Sequence, residues 1–456
     1  MKRILIVQPS FYMPGPEKKL NKAKGSPLIG LTLPYLAALT PKGWEIELVD
    51  ESTADIDFDT RADVVAISSW TINAFRAYDI AAAFRERGIP VIMGGPHSTF
   101  FPDQILASGD VDVVVLGEGE ITIVELAGRL VRGQDLDDVR GIAFLKDGRT
   151  HLTPARESLT DLDVLPFPAY DAFDLAEYKS PEIPDQYRDL PGTHVLTSRG
   201  CPFHCEFCSV NKFFNGKWAF RSPGNVADEL EELVADLGVR HVYFSDDLFS
   251  LNHQRTIGIC KEILDRKLDF AWMAETRVDC VNEEMLAWMR KAGCYRVYYG
   301  VESGSPRILK SINKGFTTAQ VRRAFQLTHQ AGMEPSCFLM VGNPGETPDT
   351  IDETIELIQE IKPATTPIVG ITTILPGTRQ YDLSKNQGLI SDDYWRSDGA
   401  PPLYTGEYEV DDLIQLQIRL ARGVCPEVYE QMCAMGLDDN YFRLRRMMGN
   451  RRERTA

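Results

Sequence analysis

No run of about eighteen apolar residues occurs anywhere in the 456-residue chain, so no segment reads as a membrane-spanning helix. The apolar stretch behind Met1-Lys2-Arg3 is only Ile4-Leu5-Ile6-Val7, too short for the core of a signal peptide. Basic charge is scarce: 49 Lys and Arg against 66 Asp and Glu leave a net charge of −17. Nucleic acid is gripped chiefly through its phosphates, and this composition lacks the basic face that needs. There is no low-complexity tract, and 43% apolar with 25% charged residues is ordinary for globular protein. A disulfide pattern is also missing. Nine cysteines is an odd number, and six of them (260, 280, 294, 337, 425 and 433) are scattered and read mostly as small buried hydrophobes. Such a set suits a reducing, cytoplasmic setting better than a disulfide framework. The length accommodates two or three domains, each with its own core.

What the chain does have is the other three cysteines together, in Cys201-Pro-Phe-His-Cys205-Glu-Phe-Cys208. The spacing is C-x3-C-x2-C, directly after the strand-like run 194–200. Three thiolates on one short loop can bind three corners of a four-iron cluster, for which thiolate is the usual protein ligand. Such clusters normally take four cysteines; none other is near in sequence, which leaves the fourth iron open to another ligand. The competing reading is a closed zinc site, which also uses Cys and His. His204 would then be the fourth ligand, from an awkward position inside the triplet.

The rest of the chain alternates short apolar strands with helices. Strands are expected at 3–8, 44–50, 63–68, 90–93 and 111–116, with helices at 31–39 and about 74–87, the latter carrying Ala74, Ala77, Ile80, Ala81 and Phe84 on one face. This predicts an α/β fold over residues 1–150, a doubly wound five-stranded parallel sheet of Rossmann or flavodoxin type. Ligands of such sheets lie outside the carboxyl ends of the strands. The residues there are Ser68, Ser69 and Thr71, then Gly94, Gly95 and His97, then Gly117, Glu118 and Gly119; glycine there serves either a ligand's close approach or a tight turn. A hairpin around Asp147-Gly148 leads into a proline-punctuated connector over 151–192. Residues 193–380 then hold six strand–helix units, with strands following the first at 241–246, 270–275, 295–300, 335–341 and 367–374, which is the pattern of a partial (β/α)6 TIM-type barrel. Residues 381–456 form a small helical region, with an amphipathic helix at 410–421 and a shorter one at 426–435, and a basic tail read as solvated.

The C-x3-C-x-φ-C pattern, with Phe207 ahead of the last cysteine, resembles the cluster motif of radical S-adenosylmethionine (SAM) enzymes. The resemblance implies that Cys201, Cys205 and Cys208 hold a [4Fe-4S] cluster whose open iron is chelated by the amino and carboxylate groups of SAM. Beside Phe207, it implies contacts to SAM from Asp247 at its amino group, Arg277 at its carboxylate, Glu302 and Ser303 at the ribose, Gly342 along the adenosine and Pro376 near adenine. Asp246 and Asp247 also read as helix caps, and Arg277 as a partner of Glu275 or Glu302. The three loops of residues 1–150 resemble the cobalamin-binding domain that precedes many radical SAM cores, which implies cobalamin near Ser68, Ser69, Thr71, Gly94, Gly95, His97, Gly117, Glu118 and Gly119. One departure stands out. The loop after the first strand, Gln8-Pro-Ser-Phe-Tyr-Met-Pro14, lacks the D-x-H-x-x-G histidine that ligates cobalt in mutases and methionine synthase. His97 lies on a different loop, lining the nucleotide tail or serving the core. The implied activity is hydrogen abstraction by a 5′-deoxyadenosyl radical followed by methyl transfer from methylcobalamin to carbon. The alternatives are a radical SAM oxidative cyclase, rearrangement or carbon–carbon coupling enzyme without methyl transfer, and a non-catalytic cobalamin or metal sensor. Implied partners are a small-molecule or lipid-like substrate and an electron donor such as flavodoxin or ferredoxin, in the cytoplasm and without nucleic acid.

Overall fold

The computed structural model describes residues 1–12, 18–22, 30–175, 190–397 and 402–434. The chain divides into two compact units: Met1–Ile183 with Ser391–Ala400, and Pro184–Ile390 with Pro401–Ala456. The basic tail, the proline- and tyrosine-rich stretch 176–189 and positions 13–17 of the first loop lie outside the described residues.

In the first unit, β1 (Lys2–Gln8), β2 (Trp44–Asp50), β3 (Val64–Ser68), β4 (Val91–Gly94) and β5 (Val113–Val115) pair in parallel in the order β2-β1-β3-β4-β5. Period-two alternation explains why the strands are apolar throughout: Leu5 and Val7 pack into one core, Ile4 and Ile6 into the other. The first core takes Ala77, Ile80, Ala81 and Phe84 from helix Ala74–Glu86, the face read from the sequence. The second takes Leu33 from helix Thr32–Leu39 and Ile123, Leu126 and Ala127 from helix Glu120–Val131. The hairpin belongs to this sheet. Strands β6 (Ile142–Lys146) and β7 (Arg149–Leu152) continue it antiparallel from β5 and make seven strands; pairing of this kind removes the open edge of β5. Strand order reverses between β1 and β3, the crevice where doubly wound sheets bind ligands.

The second unit opens with β8 (Gly192–Val195), followed by the small antiparallel pair β9 (Ser198–Arg199) and β10 (Ala219–Phe220). Then come β11 (His241–Phe244), β12 (Ala271–Thr276), β13 (Cys294–Glu302), β14 (Glu334–Val341) and β15 (Ile368–Ile371). Strands β8 and β11–β15 form one all-parallel sheet in chain order, so each connection steps to the next strand and the six form a partial barrel. Helices start where the sequence marks them: Ser222 accepts from the Asn225 amide ahead of Pro223, and Thr347 forms a capping box ahead of Pro348. Phe244, Phe249 and Trp272 pack ring on ring in the layer beneath. Four of the scattered cysteines (260, 280, 294 and 337) are buried in this unit, as small hydrophobes. Strand β15 is shorter than the expected 367–374, and helix Val410–Val424 packs beside it. There Gln417 Nε2 donates to the Val369 carbonyl (2.9 Å), satisfying part of an edge strand.

One glycine in the first unit tests the fit of its ligand-end loops. Gly95 has φ 99° and ψ −176°, a region open essentially to glycine alone. A Cβ there would stand 2.6 Å from the Ser69 carbonyl oxygen. Gly95→Ala is expected to cost about 1–3 kcal/mol, measured by denaturant unfolding; an unchanged midpoint would show that the two loops separate freely.

Candidate functional site

The cysteine loop leaves the barrel where β8 ends, and buried carboxylates decide how it leaves. Asp246 Oδ1, just past β11, accepts from the Thr197 amide (3.0 Å) and hydroxyl (2.8 Å) and from the Ser198 hydroxyl (2.5 Å). Asp246 therefore anchors a neighbouring strand end and caps no helix. Asp247 Oδ2 accepts from the Gly200 amide (2.9 Å). Gly200 has φ 81° and lies too close to the Lys217 carbonyl for any side chain. Beyond it the loop is pinned from outside. Asn211 Nδ2 donates to the Cys201 carbonyl (3.0 Å), Asn313 Nδ2 to the His204 carbonyl (2.7 Å), and the Glu206 amide to the Ile312 carbonyl (3.0 Å).

Cys201, Cys205 and Cys208 are free thiols, each partly buried on this loop. Burial pushes the Cys208 thiol up to about 12 and raises that of Cys201, and Asp247 nearby adds to both. Protein alone therefore holds these two as neutral thiols; a bound metal centre supplies the positive charge that makes thiolates of them. The donor set fits an iron–sulfur cluster, whose thiolates bind different irons. A single zinc ion needs four ligands closed on one point, and the candidate fourth ligand, His204, is exposed.

The other strand ends place the remaining residues. Arg277 grips both oxygens of Asp279 (2.9 Å each) and donates to the Lys314 carbonyl (2.7 Å). Its Nη1 stands 3.8 Å from Cys205 Sγ, and its guanidinium lies 3.6 Å above the Phe203 ring. The partner of Arg277 is thus neither Glu275 nor Glu302. Glu302 sits at a bulge of β13 with φ 67°, and its Oε1 accepts from Lys314 Nζ (2.8 Å). Gly300 leaves room for that carboxylate, since a Cβ would fall 2.8 Å from Oε1. Phe207 is partly buried beneath the same ammonium, 5.5 Å from it. The Ser303 hydroxyl is committed inward, to Thr354 Oγ1 (3.2 Å) and the Ser305 amide (3.1 Å). Gly342, φ 84°, and Asn343 donate their amides to Glu346, whose carboxyl burial pushes up to about 7. Pro376 is buried in the turn before helix Arg379–Asn386. Asp247 keeps a face open to solvent but is walled by protein elsewhere, which raises its carboxyl to about 6. Glu275 is partly buried, and among the described residues its carboxylate makes no hydrogen bond or ion pair; burial first, then repulsion from Glu302, pushes it up to about 7.

In the first unit Ser68, Ser69 and Thr71 are all buried, and the Ser69 hydroxyl turns inward to the Trp70 carbonyl (3.1 Å) and Asn73 Oδ1 (3.3 Å). The Ser69 amide donates to the Gly94 carbonyl (2.8 Å) and the His97 amide to the Ser69 carbonyl (3.2 Å), so two of the loops brace each other. The Gly117 amide donates to Thr99 Oγ1 (2.9 Å), and no atom lies within 4 Å of where its Cβ would stand. Backbone is therefore approachable there, which suits a large cofactor. Glu118 accepts from the Leu159 amide (3.1 Å), and Gly119 precedes helix Glu120–Val131. His97 is core: fully buried, bonded to the Tyr78 hydroxyl (3.2 Å), ringed by Tyr78, Phe101 and Trp395, and pushed down to about 3 by burial. In the loop after β1, the Ser10 amide donates to Glu51 Oε2 (3.1 Å) and the Ser10 hydroxyl to the Asn21 carbonyl.

Sequence reasoning missed Lys314 and Asn313, whose partners lie on other elements, Asp279, which pairs with Arg277 two residues before it, and Glu346, which is buried. It also missed Trp70, 54% exposed at the end of β3, where a large ring among Ser and Thr was an available signal.

Residues 195–358 match the family model described as the radical SAM superfamily, and residues 25–127 that of the B12 binding domain. The chain is 32% identical over 407 residues to an uncharacterized methyltransferase of Pyrococcus horikoshii, spanning 87% of this chain and 86% of that one. It is 29% identical over 381 residues to the anaerobic magnesium-protoporphyrin IX monomethyl ester cyclase of Rubrivivax gelatinosus, spanning 79% and 66%. Its fold is similar to that of the cobalamin-dependent S-adenosylmethionine radical enzyme OxsB, solved with aqua-cobalamin and S-adenosylmethionine bound (TM-score 0.70, 20% identity, 97% of this chain and 67% of that one).

The unpaired Glu275 has a consequence for stability. Its folded-state value near 7 lies above the ordinary 4.5, so the stabilisation present below about pH 4.5 is lost as pH rises through about 7. Glu275→Gln should therefore unfold about 2–4 °C above the wild type at pH 8 and close to it at pH 5. A gap that does not change with pH in thermal scans would refute this assignment.

Proposed function

The chain belongs to the radical SAM superfamily, in the subclass whose core follows a cobalamin-binding domain, and on that premise we propose that it methylates a carbon of a small-molecule or lipid-like substrate. The observation that carries the reading is one chain holding both parts: a three-thiol loop at the strand ends of a parallel partial barrel, and a 2-1-3-4-5 sheet with approachable loops at its ligand end. When bound, the [4Fe-4S] cluster supplies the electron that cleaves SAM to the 5′-deoxyadenosyl radical, and methylcobalamin supplies the methyl group.

The residues of the chain bind and orient. Cys201, Cys205 and Cys208 hold three corners of the cluster and leave the fourth to SAM. Phe207 would lie against SAM, and Asp247 would accept from its amino group. Arg277 has two of its edges committed, which leaves Nη1 for the methionine carboxylate. Glu302 accepts from the ribose hydroxyls. The turns at Gly342 and Pro376 offer backbone to the adenosine, and Ser303 holds its strand end against Thr354. Cobalamin is taken by the loops 68–71, 94–97 and 117–119, mostly through backbone, because the Ser69 hydroxyl and the His97 ring are spent inside the protein. Residues 8–25 contain no histidine that could ligate cobalt. A flavodoxin or ferredoxin in the cytoplasm delivers the electron.

The second reading to be tested against methylation is radical chemistry that ends in ring closure, the activity in the name of the cyclase relative, without methyl transfer. Protein purified anaerobically, given methyl-deuterated SAM, a reductant, cobalamin and an extract of its host, separates the two: a metabolite gaining a deuterated methyl group supports methylation, whereas one losing two hydrogens supports cyclisation. Either reading requires the cluster. Cys201→Ala, Cys205→Ala and Cys208→Ala are each expected to lose the visible thiolate–iron absorption and to form 5′-deoxyadenosine only at background. Cleavage that survives any of the three would sink the assignment.

A further inference from the structure

After β13 the chain forms a short helix, Pro306–Ser311, and then the tight turn Ile312-Asn313-Lys314-Gly315, with φ 52° at Asn313 and 77° at Gly315. Nothing in the turn's sequence marks it as part of a site, yet it reaches both halves of one. On one side Ile312 and Asn313 bond to the backbone of the cysteine loop, at Glu206 and His204. On the other, Lys314 Nζ lies 2.8 Å from Glu302 Oε1, with only 7% and 8% of the two side chains exposed. Between them the Lys314 carbonyl takes Arg277 Nη2, the same guanidinium whose Nη1 stands beside Cys205.

A buried ion pair is weak evidence for stability, because an apolar pair of like volume often serves as well. This pair also sits where Glu302 holds a left-handed backbone, φ 67°, at a bulge. A non-glycine residue keeps that conformation only when its surroundings impose it, and such strain collects at functional sites. The Lys314 ammonium is the charged group that meets the Glu302 side chain there. It draws the carboxylate over Gly300, where no Cβ obstructs, and it lies 5.5 Å from the Phe207 ring and 5.8 Å from that of Phe316.

We propose that Lys314 is a positioning residue for S-adenosylmethionine: its ammonium aims the Glu302 carboxylate at the ribose, while its turn ties the cluster loop to the same anchor. Cluster and nucleoside site are then set by one four-residue turn. The proposal rests on the reading that this chain binds SAM at a cluster held by Cys201, Cys205 and Cys208.

The test is an anaerobic SAM titration of the reduced, cluster-loaded protein, read as the SAM-dependent change in the cluster's electron paramagnetic resonance spectrum, with iron content measured alongside. Lys314→Met is expected to load iron fully and to raise the titration midpoint roughly 30-fold or more, the cost of leaving one member of a buried pair alone. Because Lys314 acts through Glu302, the double variant Glu302→Gln/Lys314→Met should bind SAM no more weakly than Glu302→Gln alone. A Lys314→Met midpoint within about twofold of wild type, well below the shift a broken buried pair gives, overturns the proposal, as do losses that multiply in the double variant. If Lys314→Met takes up no iron, the double variant, which leaves neither charge alone, is compared with Glu302→Gln in the same way. Failure of both to take up iron assigns Lys314 to folding of the cluster loop alone and also overturns the proposal. A wild-type protein that carries the cluster but shows no SAM-dependent change fails the functional reading instead, before any variant is compared.

Discussion

A fully buried carboxylate holds the chain where barrel becomes site. Asp246 accepts three hydrogen bonds from Thr197 and Ser198 on one oxygen, and burial raises its carboxyl despite the nearby Arg255. Arg255 in turn donates to the Thr197 and Arg221 carbonyls (2.5 and 2.8 Å), so the segment is held from both sides. The sequence reads as one strand to Gly200, whereas β8 ends at Val195 and these contacts hold Thr197 and Ser198 beyond it. The parallel register does the rest: once the six strands pair in one direction, their carboxyl ends share an edge, and residues more than 170 positions apart, Cys201 to Pro376, are carried to it.

Charge around that edge is unevenly spent. Arg277, beside Cys205, and Lys314, on the turn that bonds to the cysteine loop, are committed to Asp279 and Glu302. The acids at the neighbouring strand ends are raised instead: Asp247 to about 6, Glu275 and Glu346 to about 7. Burial is the main cause in all three, because desolvation penalises a lone carboxylate. A site so arranged gives up little charge of its own before its charged cofactors arrive. Pairing does the orienting, while among the described residues the Asp247 and Glu346 carboxylates accept only backbone amides and that of Glu275 has no partner.

The sequence was readable where structure is local or periodic. Alternation along Ile4-Leu5-Ile6-Val7, the caps at Ser222 and Thr347, and the cysteine spacing all rest on neighbours within a few residues. Order along the chain was enough for the parallel strands, since each pairs mostly with a sequence neighbour. What stayed hidden depends on burial and on cross-strand partners. Lys314 looks like any surface lysine until a bulge of β13 places Glu302 against it. Arg277 had two acids in plausible positions and took a third, Asp279. The Asp147-Gly148 hairpin was recognisable as a hairpin, but its membership of the first sheet was not, because alternation does not say which edge a hairpin joins.

The first unit is not contiguous in sequence: Gln104 donates to the Asp392 carbonyl (2.7 Å), helix Tyr394–Ser397 packs on helix Ala74–Glu86, and the Trp395 ring meets that of His97. During synthesis the amino-terminal sheet is therefore finished by residues that leave the ribosome some two hundred positions after the rest of it. Until then part of the apolar wall around His97 has no cover, and the sheet must wait, incompletely packed, while the barrel is made. An amino-terminal fragment ending before residue 391 would carry the cofactor loops but lack part of the core behind them.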